Sequence, residues 1–408
     1  MKPLYWLLLS RFTGGLGYQI FVLSGLFSVY QKTQSAAATG MTGLVLFLPA
    51  MFLNLFFGQW ADKIKNKAAV YFILQAAVVP LSLGMLVPIV RSNTFGILML
   101  LAVYSLLRGL RTPLYYSLMN ASSASNKAPV SKGRLSQLST IAWQGPLIAG
   151  PFLFSFMHDF TKGASVTFIF VILFAIAALA SAPLIRAVKT DQVSKQKVSG
   201  QTWLQLFKEN PIWIRASVLD AVVMGSLSFV SLIPFLLKGI QEDPSKVGYL
   251  RSMISLGACA CICLFEVQAF QNRREQIFVG ALAIGSLAVF LLPVSGSFSF
   301  LICLSFIFGF CDGFSILYRD YLVFMAPKDA TGRVSSLSQI LNSVSEDLGE
   351  FRAGMMGDFF GASQALYVSA IIGGGATALF WARTLSSSSG NNANRIAEST
   401  LPCPRSLS

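Results

Sequence analysis

The chain has 408 residues, of which 54% are hydrophobic and only 12% are charged. A soluble domain carries about 25% charged residues, so this composition excludes an ordinary soluble globule. The formal net charge of +14 would suit a nucleic-acid-binding protein, but the placement of the basic residues along the chain excludes that class, as shown below.

Apolar runs long enough to cross a bilayer follow one another along the chain. A helix needs about 20 mostly apolar residues to span about 30 Å of hydrocarbon. We predict twelve spans, at 4–29, 39–60, 68–90, 95–118, 133–157, 163–187, 212–237, 246–268, 275–294, 298–321, 333–357 and 363–384. The runs are continuous rather than alternating, which excludes a membrane β-barrel. The predicted fold class is therefore an all-α membrane protein.

A long polar segment divides these spans into two sets of six. The predicted organisation is an N-terminal half over 1–187, a linker over 188–211, a C-terminal half over 212–384 and a tail over 385–408. The tail is rich in Ser and Asn and is expected to be disordered.

Two segments half a chain apart are nearly alike. The sequence GRLSQLSTI at 133–141 returns as GRVSSLSQI at 332–340, and each copy opens a long apolar segment. The repeat indicates that the halves are two copies of one unit. Duplicated halves in a membrane protein are typical of transporters.

Most basic residues fall on the side of the membrane that holds the N-terminus, the linker and the tail. That side includes Lys63, Lys65, Lys67, Lys127, Lys132, Arg186, Lys189, Lys195, Lys197, Lys208, Arg273, Arg274 and Lys328. The other side holds Lys32, Arg91, Lys162, Lys238 and Lys246. By the positive-inside rule both termini are cytoplasmic, and the positive charge reflects topology rather than affinity for nucleic acid.

The loop after the second span reads GQWADKIKNK at 58–67. It resembles the G-x-x-A-D-(R/K)-x-x-(R/K) signature between helices two and three of the major facilitator superfamily. Gly58 lets neighbouring backbones approach closely, and Asp62 can meet the positive end of a helix or a basic side chain. With Lys63 and Lys67, these residues form a predicted gating motif. The alternative is an ordinary charged turn.

The fifth span carries the run GPLIAGP at 145–151. It is similar to the Gly-Pro motif of antiporters of the same superfamily. Pro146 and Pro151 remove backbone hydrogen bonds and bend a helix, whereas Gly145 and Gly150 permit tight packing. The alternative is a generic kink, since Gly and Pro are common in membrane helices.

Several segments together resemble one branch of the superfamily, which contains the bacterial enterobactin (siderophore) exporter and macrolide efflux pumps. They are Ser10-Arg11-Phe12, the loop at 58–67, the stretch near Gly133 that leads into the fifth span, and ATGRV at 330–334. The resemblance implies two pseudo-symmetric six-helix halves and export of a siderophore across the bacterial inner membrane.

Charged residues inside the predicted spans are the candidate functional groups, because each costs about 2.5–3.5 kcal/mol at the bilayer centre. They are Arg11, Arg108, Arg111, Arg215, Asp220, Arg251, Asp312, Glu346, Asp347, Glu350 and Arg352. The repeat aligns Arg108 on the fourth span with Asp312 on the tenth, which predicts a switchable pair across a central cavity. Arg108 and Arg111 share a helix face and can grip an anionic ligand. A static buried salt bridge is the alternative.

Further candidates fall into two groups. Glu346, Asp347 and Glu350 on the eleventh span and Asp220 on the seventh are predicted proton-coupling groups, because crowded carboxylates in a low dielectric favour proton binding. Mutual pairing of these carboxylates with Arg352 is the alternative. Aromatic residues that can stack on a ligand ring are Tyr18, Tyr104, Tyr115, Trp143 and Tyr318; packing is their alternative role.

We therefore expect an inner-membrane transporter with a role in iron homeostasis that exports a siderophore to the periplasm by proton antiport. The sequence shows no nucleotide-binding loop, nucleophile triad or metal cluster, so we expect no enzyme activity, cofactor or metal. The expected partners are an anionic or amphiphilic small molecule, protons and lipid, with the protein as a monomer that binds no nucleic acid. Efflux of macrolides or other drugs is the first alternative, and a non-transporting scaffold or sensor is the second.

Overall fold

The computed structural model describes residues 2–64, 66–124, 132–161, 166–187, 211–265, 274–324 and 331–399. All regular structure in these ranges is helical. The long helices are α1 (Lys2–Thr33), α2 (Ala36–Lys63), α3 (Lys67–Leu83), α4 (Thr94–Ala124), α5 (Lys132–Thr161), α6 (Val166–Ser181), α7 (Pro211–Leu227), α8 (Val247–Phe265), α9 (Arg274–Leu291), α10 (Phe298–Phe324), α11 (Thr331–Phe360) and α12 (Ala362–Ser399). Each predicted span coincides with one of these helices, so the predicted fold class is confirmed.

The helices have the length and the surface of membrane spans. Within the described ranges, nine helices are long and apolar enough to cross a bilayer. Large apolar side chains such as Ile73, Leu179 and Leu379 are at least 60% exposed on the outside of the bundle. Lipid is as apolar as these side chains, so their exposure has no hydrophobic cost in a membrane. The chain is a multi-pass membrane protein.

Short polar connections make successive helices antiparallel. Ser35 caps α2 by accepting a hydrogen bond from the Ala38 amide, and Asn66 caps α3 through the Ala69 amide. Such caps satisfy amide groups that have no partner in the first turn of a helix. We call the end of the bundle where α2 stops and α3 begins the terminal end, because α1 also starts there. The end that contains Ser35 is the distal end.

Helices α1–α6 pack among themselves, as do α7–α12. In the first set α1 lies against α4, α5 and α6, and in the second set α10 lies against α8 and α9. Aromatic rings fill the first core: Phe21 packs edge-on against Phe170 at 5.3 Å between ring centroids and also contacts Phe174 and Tyr104. The two halves meet mainly where α2 crosses α11 and where α5 crosses α8.

The crossing of α2 and α11 depends on glycines. A Cβ placed on Gly40 would stand 2.7 Å from the carbonyl oxygen of Glu350, and one on Gly354 would stand 2.3 Å from that of Ala36. Any larger residue would separate the helices. Close approach through small residues is a common way for helices to associate in lipid, where no hydrophobic force drives them together.

Asp358, at the distal end of α11, adds a polar connection to the same crossing. Its carboxylate accepts hydrogen bonds from Ser35 Oγ at 2.5 Å and from the amides of Ala36 and Ala37 at 2.6 and 3.2 Å. A carboxylate is stabilised at the N-terminus of a helix by the free amides and the helix dipole. One half of the molecule therefore caps a helix of the other half.

The crossing of α5 and α8 has the same character. Ser155 Oγ donates to the carbonyl of Ser245 at 2.6 Å and accepts from the Gly248 amide at 2.9 Å. A Cβ on Gly248 would stand 2.0 Å from the carbonyl oxygen of Pro151. We refer to the two crossings together as the distal contact, because they join the halves towards the distal end.

Two helices differ from the predicted spans. The seventh span was predicted to be continuous over 212–237, but α7 ends at Leu227 and the chain continues as the short helix Ile233–Gly239. In the twelfth, α12 continues to Ser399, beyond the predicted end of the span at residue 384, and the disorder of the tail stays a prediction. Each residue added to an existing helix gains a hydrogen bond at little cost, so a polar composition alone does not end it.

Candidate functional site

A cavity lies inside the N-terminal half, between α1, α3, α4 and α5. In this conformation its volume is about 10 Å³, room for about one water molecule, so a larger ligand requires the lining helices to move apart. Its lining residues are Arg11, Gly14, Gly15, Tyr18, Tyr71, Gln75, Tyr104, Arg108, Arg111 and Trp143. Every charged residue in that lining is an arginine, so the wall of this cavity is positively charged.

Arg108 is held by aromatic rings. Its Nη1 donates a hydrogen bond to Tyr18 Oη at 2.5 Å, and its Cζ lies 4.5 Å from the Tyr18 ring centroid and 5.6 Å from that of Trp143. Tyr18 in turn stacks on Tyr104 at 5.3 Å. A guanidinium over an aromatic face is attracted by the negative charge of that face. These contacts orient Arg108 without cancelling its charge.

Arg111 is buried one helical turn further along α4. It donates hydrogen bonds to Gln75 Oε1 and, at 3.1 Å, to Tyr104 Oη. Both acceptors are uncharged. Gln75 was not among the predicted site residues. The sequence signal that could have identified Gln75 is its spacing from Tyr71. The two hydrogen-bonding residues lie one helical turn apart within an apolar span.

Arg11 forms the third positive group of the lining. Its Cζ lies 4.6 Å from the Trp143 ring centroid and 4.8 Å from that of Tyr115. Tyr115 is fully buried and contacts Arg11 of the lining. Of the five predicted aromatic residues, Tyr18, Tyr104 and Trp143 line the cavity and Tyr115 lies next to it.

Carboxylates of α11, in the C-terminal half, interact electrostatically with Arg108 of the cavity lining. The charges of Asp347 and Glu346 influence Arg108, and those of Arg108 and Arg251 influence Asp347. Charges interact at such range because the interior has a low effective dielectric constant. Asp347 of α11 is therefore within electrostatic reach of an arginine in each half, Arg108 on α4 and Arg251 on α8, and both belong to the charged residues predicted inside the spans.

Glu350 lies at the distal contact itself. Its Oε2 is 3.1 Å from the position that a Cβ on Gly43 of α2 would take, and its backbone carbonyl accepts a hydrogen bond from Ser231 at 2.9 Å. The charge of Arg251 acts on it as well. A carboxylate in this position contacts both halves of the molecule.

Arg352 has a different role from these carboxylates. Its Nη2 donates to the carbonyls of Ser226 and Gly225 at 2.5 and 3.3 Å and to Ser369 Oγ at 3.1 Å. These carbonyls belong to the last turn of α7, where a cation is favoured by the helix dipole. The bonds stabilise the end of α7 at Leu227, which explains the unpredicted interruption.

Three predicted residues of the C-terminal half lie outside the cavity lining. Buried Asp220 accepts a hydrogen bond from Ser315. Tyr318 stacks on Phe278 at 4.6 Å between centroids. The charge of Asp312 acts on the Cys261 and Cys311 thiols. The switchable pair of Arg108 and Asp312 stays a prediction, because Arg108 contacts Tyr18 and Trp143 in this structure.

The glycines and prolines at 145–151 form a packing surface. A Cβ on Gly145 would stand 2.6 Å from the Phe12 ring, and one on Gly150 would stand 2.5 Å from Gln19. Pro146 lies against Gly15 of α1, and α5 continues through both prolines. The Pro151 carbonyl contacts α8 at the distal contact. The run thus packs α5 against α1 and the opposite half at once.

The predicted gating motif lies mostly beyond what the structure describes. Lys67 is buried in the first turn of α3. The side chains of Gly58, Asp62 and Lys63 lie outside the described residues, so their gating role stays a prediction.

The described helices form two six-helix sets with charged residues buried inside the bundle, which is the architecture of a polytopic membrane protein. The chain matches the family model of the Major Facilitator Superfamily over residues 6–346. It therefore belongs to that superfamily of membrane transporters. No curated protein matches the chain by sequence.

Solved structures of other transporters share the fold. The nucleoside transporter NupG is 15% identical with a TM-score of 0.73, over 94% of this chain and 99% of that chain. The POT family transporter PepTSo is 12% identical with a TM-score of 0.70, over 94% and 98%. The human organic anion transporter MFSD10 (TETRAN) is 12% identical with a TM-score of 0.62, over 93% and 98%. Identities this low show the fold and leave the substrate open.

Proposed function

We propose that the protein exports a siderophore from the cytoplasm to the periplasm across the bacterial inner membrane. It works as a monomer with both termini in the cytoplasm and couples export to proton antiport. The observation that carries the proposal is the cavity in whose lining every charged side chain, among the described residues, is an arginine: Arg11, Arg108 and Arg111. A site of this charge suits a ligand with several anionic groups.

The chemistry of the lining supports a chelator. Carboxylate, catecholate and hydroxamate groups present paired oxygens, which guanidinium groups bind through two parallel hydrogen bonds. The aromatic rings of Tyr18 and Trp143 offer faces to a planar group of the ligand. The fold itself accommodates anionic cargo, because MFSD10, which shares it, is described as an organic anion transporter.

The carboxylates of α11 supply the proton coupling. The charges of Arg108 in one half and Arg251 in the other act on Asp347. Glu350 lies against Gly43 at the distal contact. A proton on either carboxylate weakens attraction between charges of the two halves. Protonation then shifts the balance between conformations in which the two halves close together at opposite ends of the bundle.

Efflux of amphiphilic drugs is the second candidate function. Its support is the aromatic part of the lining, Tyr18, Tyr71, Tyr104 and Trp143. A drug site of this kind would have a mostly apolar wall, whereas three arginines form part of this one. A scaffold or sensor would have no need of titratable groups between its halves. Siderophore export fits both features.

The test is to follow an iron-chelating molecule in the source bacterium. Deletion of the gene should trap the chelator in the cell, and Arg108→Ala at normal expression should reproduce the defect. The matched control is Arg91→Ala, which removes an exposed arginine from the short distal helix Pro88–Ser92. Chelator in the medium at unchanged levels after deletion would show that the siderophore assignment is wrong.

A further inference from the structure

Gln75 is a buried amide in the cavity lining that also contains Arg11, Arg108 and Arg111. It lies in the middle of α3, is 2% exposed, and faces the same space as Arg108 and Arg111. Its amide contacts residues of three helices: Ser10 on α1, Tyr71 on α3 and Arg111 on α4. A buried amide with this many partners has a defined orientation.

The hydrogen-bond pattern determines which end of the amide faces Arg111. Ser10 Oγ donates its only hydrogen to the carbonyl of Ala177 at 2.8 Å. Towards Gln75 it can therefore only accept, so the group 3.0 Å from it must be the amide nitrogen. The amide oxygen is then turned towards Arg111, whose Nη1 donates to it. Ser10 thus orients Gln75, and Gln75 orients Arg111.

The partners of Arg111 leave its charge in place. Gln75 and Tyr104 satisfy two of its donors with neutral oxygens. The carboxylates whose charge reaches this cluster, Asp347 and Glu346, act on Arg108 from α11. A glutamate at position 75 would have nearly the same shape but would place a negative charge against Arg111. An ion pair would then compete with any anionic ligand for this guanidinium.

We infer that Gln75 determines the charge preference of the cavity by positioning Arg111 without neutralising it. The inference rests on the proposed function in so far as Arg111 is taken to contact the substrate. Gln75 is a positioning residue: it acts on the ligand through Arg111. Its exchange for glutamate should change which ligand charge is accepted while leaving the cavity shape intact.

The experiment measures binding of two probes to the purified full-length protein. Benzoate and benzamide have similar shapes, but only benzoate is charged. The parent should bind benzoate more tightly. Gln75→Glu should lower benzoate affinity about tenfold to a hundredfold, because hydrogen bonds to charged groups contribute that much, and should leave benzamide nearly unchanged. Gln364→Glu, an exposed change at the distal end of α12, is the matched control and should change neither affinity.

Two further variants separate a charge effect from a structural one. Gln75→Met keeps the length of the side chain and removes the acceptor, so benzoate should bind more weakly but still better than benzamide. Ser10→Ala should weaken benzoate binding in the same direction by a smaller factor, because only the orientation of the amide is lost. Thermal unfolding would show whether Gln75→Glu folds. If it does not, Gln75→Met and Ser10→Ala still test whether Gln75 positions Arg111.

Several results would overturn the inference. They are equal binding of the two probes by the parent, unchanged benzoate affinity in Gln75→Glu, or equal loss of benzoate preference in Gln75→Glu and Gln75→Met. The proposed function fails separately. Suppose that the gene deletion leaves chelator export unchanged but Gln75→Glu abolishes the benzoate preference. The assignment of a siderophore as the substrate is then wrong, while the positioning role of Gln75 is supported.

Discussion

Removal of the Asp358 carboxylate should shift the molecule towards opening at its distal end. Asp358 belongs to α11, but its three hydrogen bonds go to Ser35, Ala36 and Ala37 at the start of α2. These bonds exist only while the two halves touch. Asp358→Ala therefore destabilises one conformation and leaves the interior of each half unchanged.

The size of the shift follows from what such a carboxylate contributes. Loss of a capping side chain costs about 1 kcal/mol, and a negative charge at a helix N-terminus adds about 0.3–1 kcal/mol. Ser35 remains in Asp358→Ala as a second cap on α2, so about 1–2 kcal/mol is the full range. The ratio of closed to open molecules should then fall about fivefold to thirtyfold.

The assay is electron-spin distance measurement between labels on the two halves. Ile89 and Val294 are 80% and 65% exposed, lie at the distal end and belong to different halves, which makes them suitable label positions. In Asp358→Ala the population with longer label distances should grow. Asn93→Ala is the matched control, because exposed Asn93 accepts a hydrogen bond from the Phe95 amide and so caps the distal start of α4 within its own half.

An unchanged distance distribution in Asp358→Ala would refute the reasoning, since the cap would then contribute nothing to closure. An equal change in Asn93→Ala would refute it too. That result would mean that loss of any distal helix cap loosens the molecule.

Other variants test the remaining contacts. Glu350→Gln and Asp347→Asn should abolish proton-coupled transport in proteoliposomes while sparing ligand binding; transport that still follows the proton gradient would exclude both residues from coupling. Gly248→Ala should prevent the close approach of α5 to Pro151 and lower the thermal midpoint, and an unchanged midpoint would show that the helices separate without cost. Arg352→Met should destabilise the protein by about 1–3 kcal/mol, because carbonyls of α7 lose a charged donor; a midpoint equal to that of the parent would contradict this.

The helices were predictable because lipid imposes a simple condition on the sequence. A segment that crosses a bilayer must be apolar over a fixed length and must satisfy its own backbone groups. Runs such as 68–90 and 298–321 meet that condition on their own. The interruption after Leu227 was not predictable, because its cause is the contact of Arg352 with α7, which is distant in sequence.

The site was predictable where a residue carries charge. Arg108 and Arg111 are conspicuous in an apolar segment because of what a charge costs there. Gln75 lacks that signal, and its importance depends on which atoms of Ser10 and Arg111 it meets. The repeat likewise relates the depth of Arg108 and Asp312 in the membrane, but the direction of each side chain depends on the packing of its own half.

The most direct test of an anion-binding cavity is a structure of the protein with the exported chelator bound. We expect an anionic group of the ligand within hydrogen-bonding distance of both Arg108 and Arg111, with a planar part against Tyr18 or Trp143. A chelator bound wholly among α7–α12, away from these arginines, would contradict the assignment of the cavity as the substrate site.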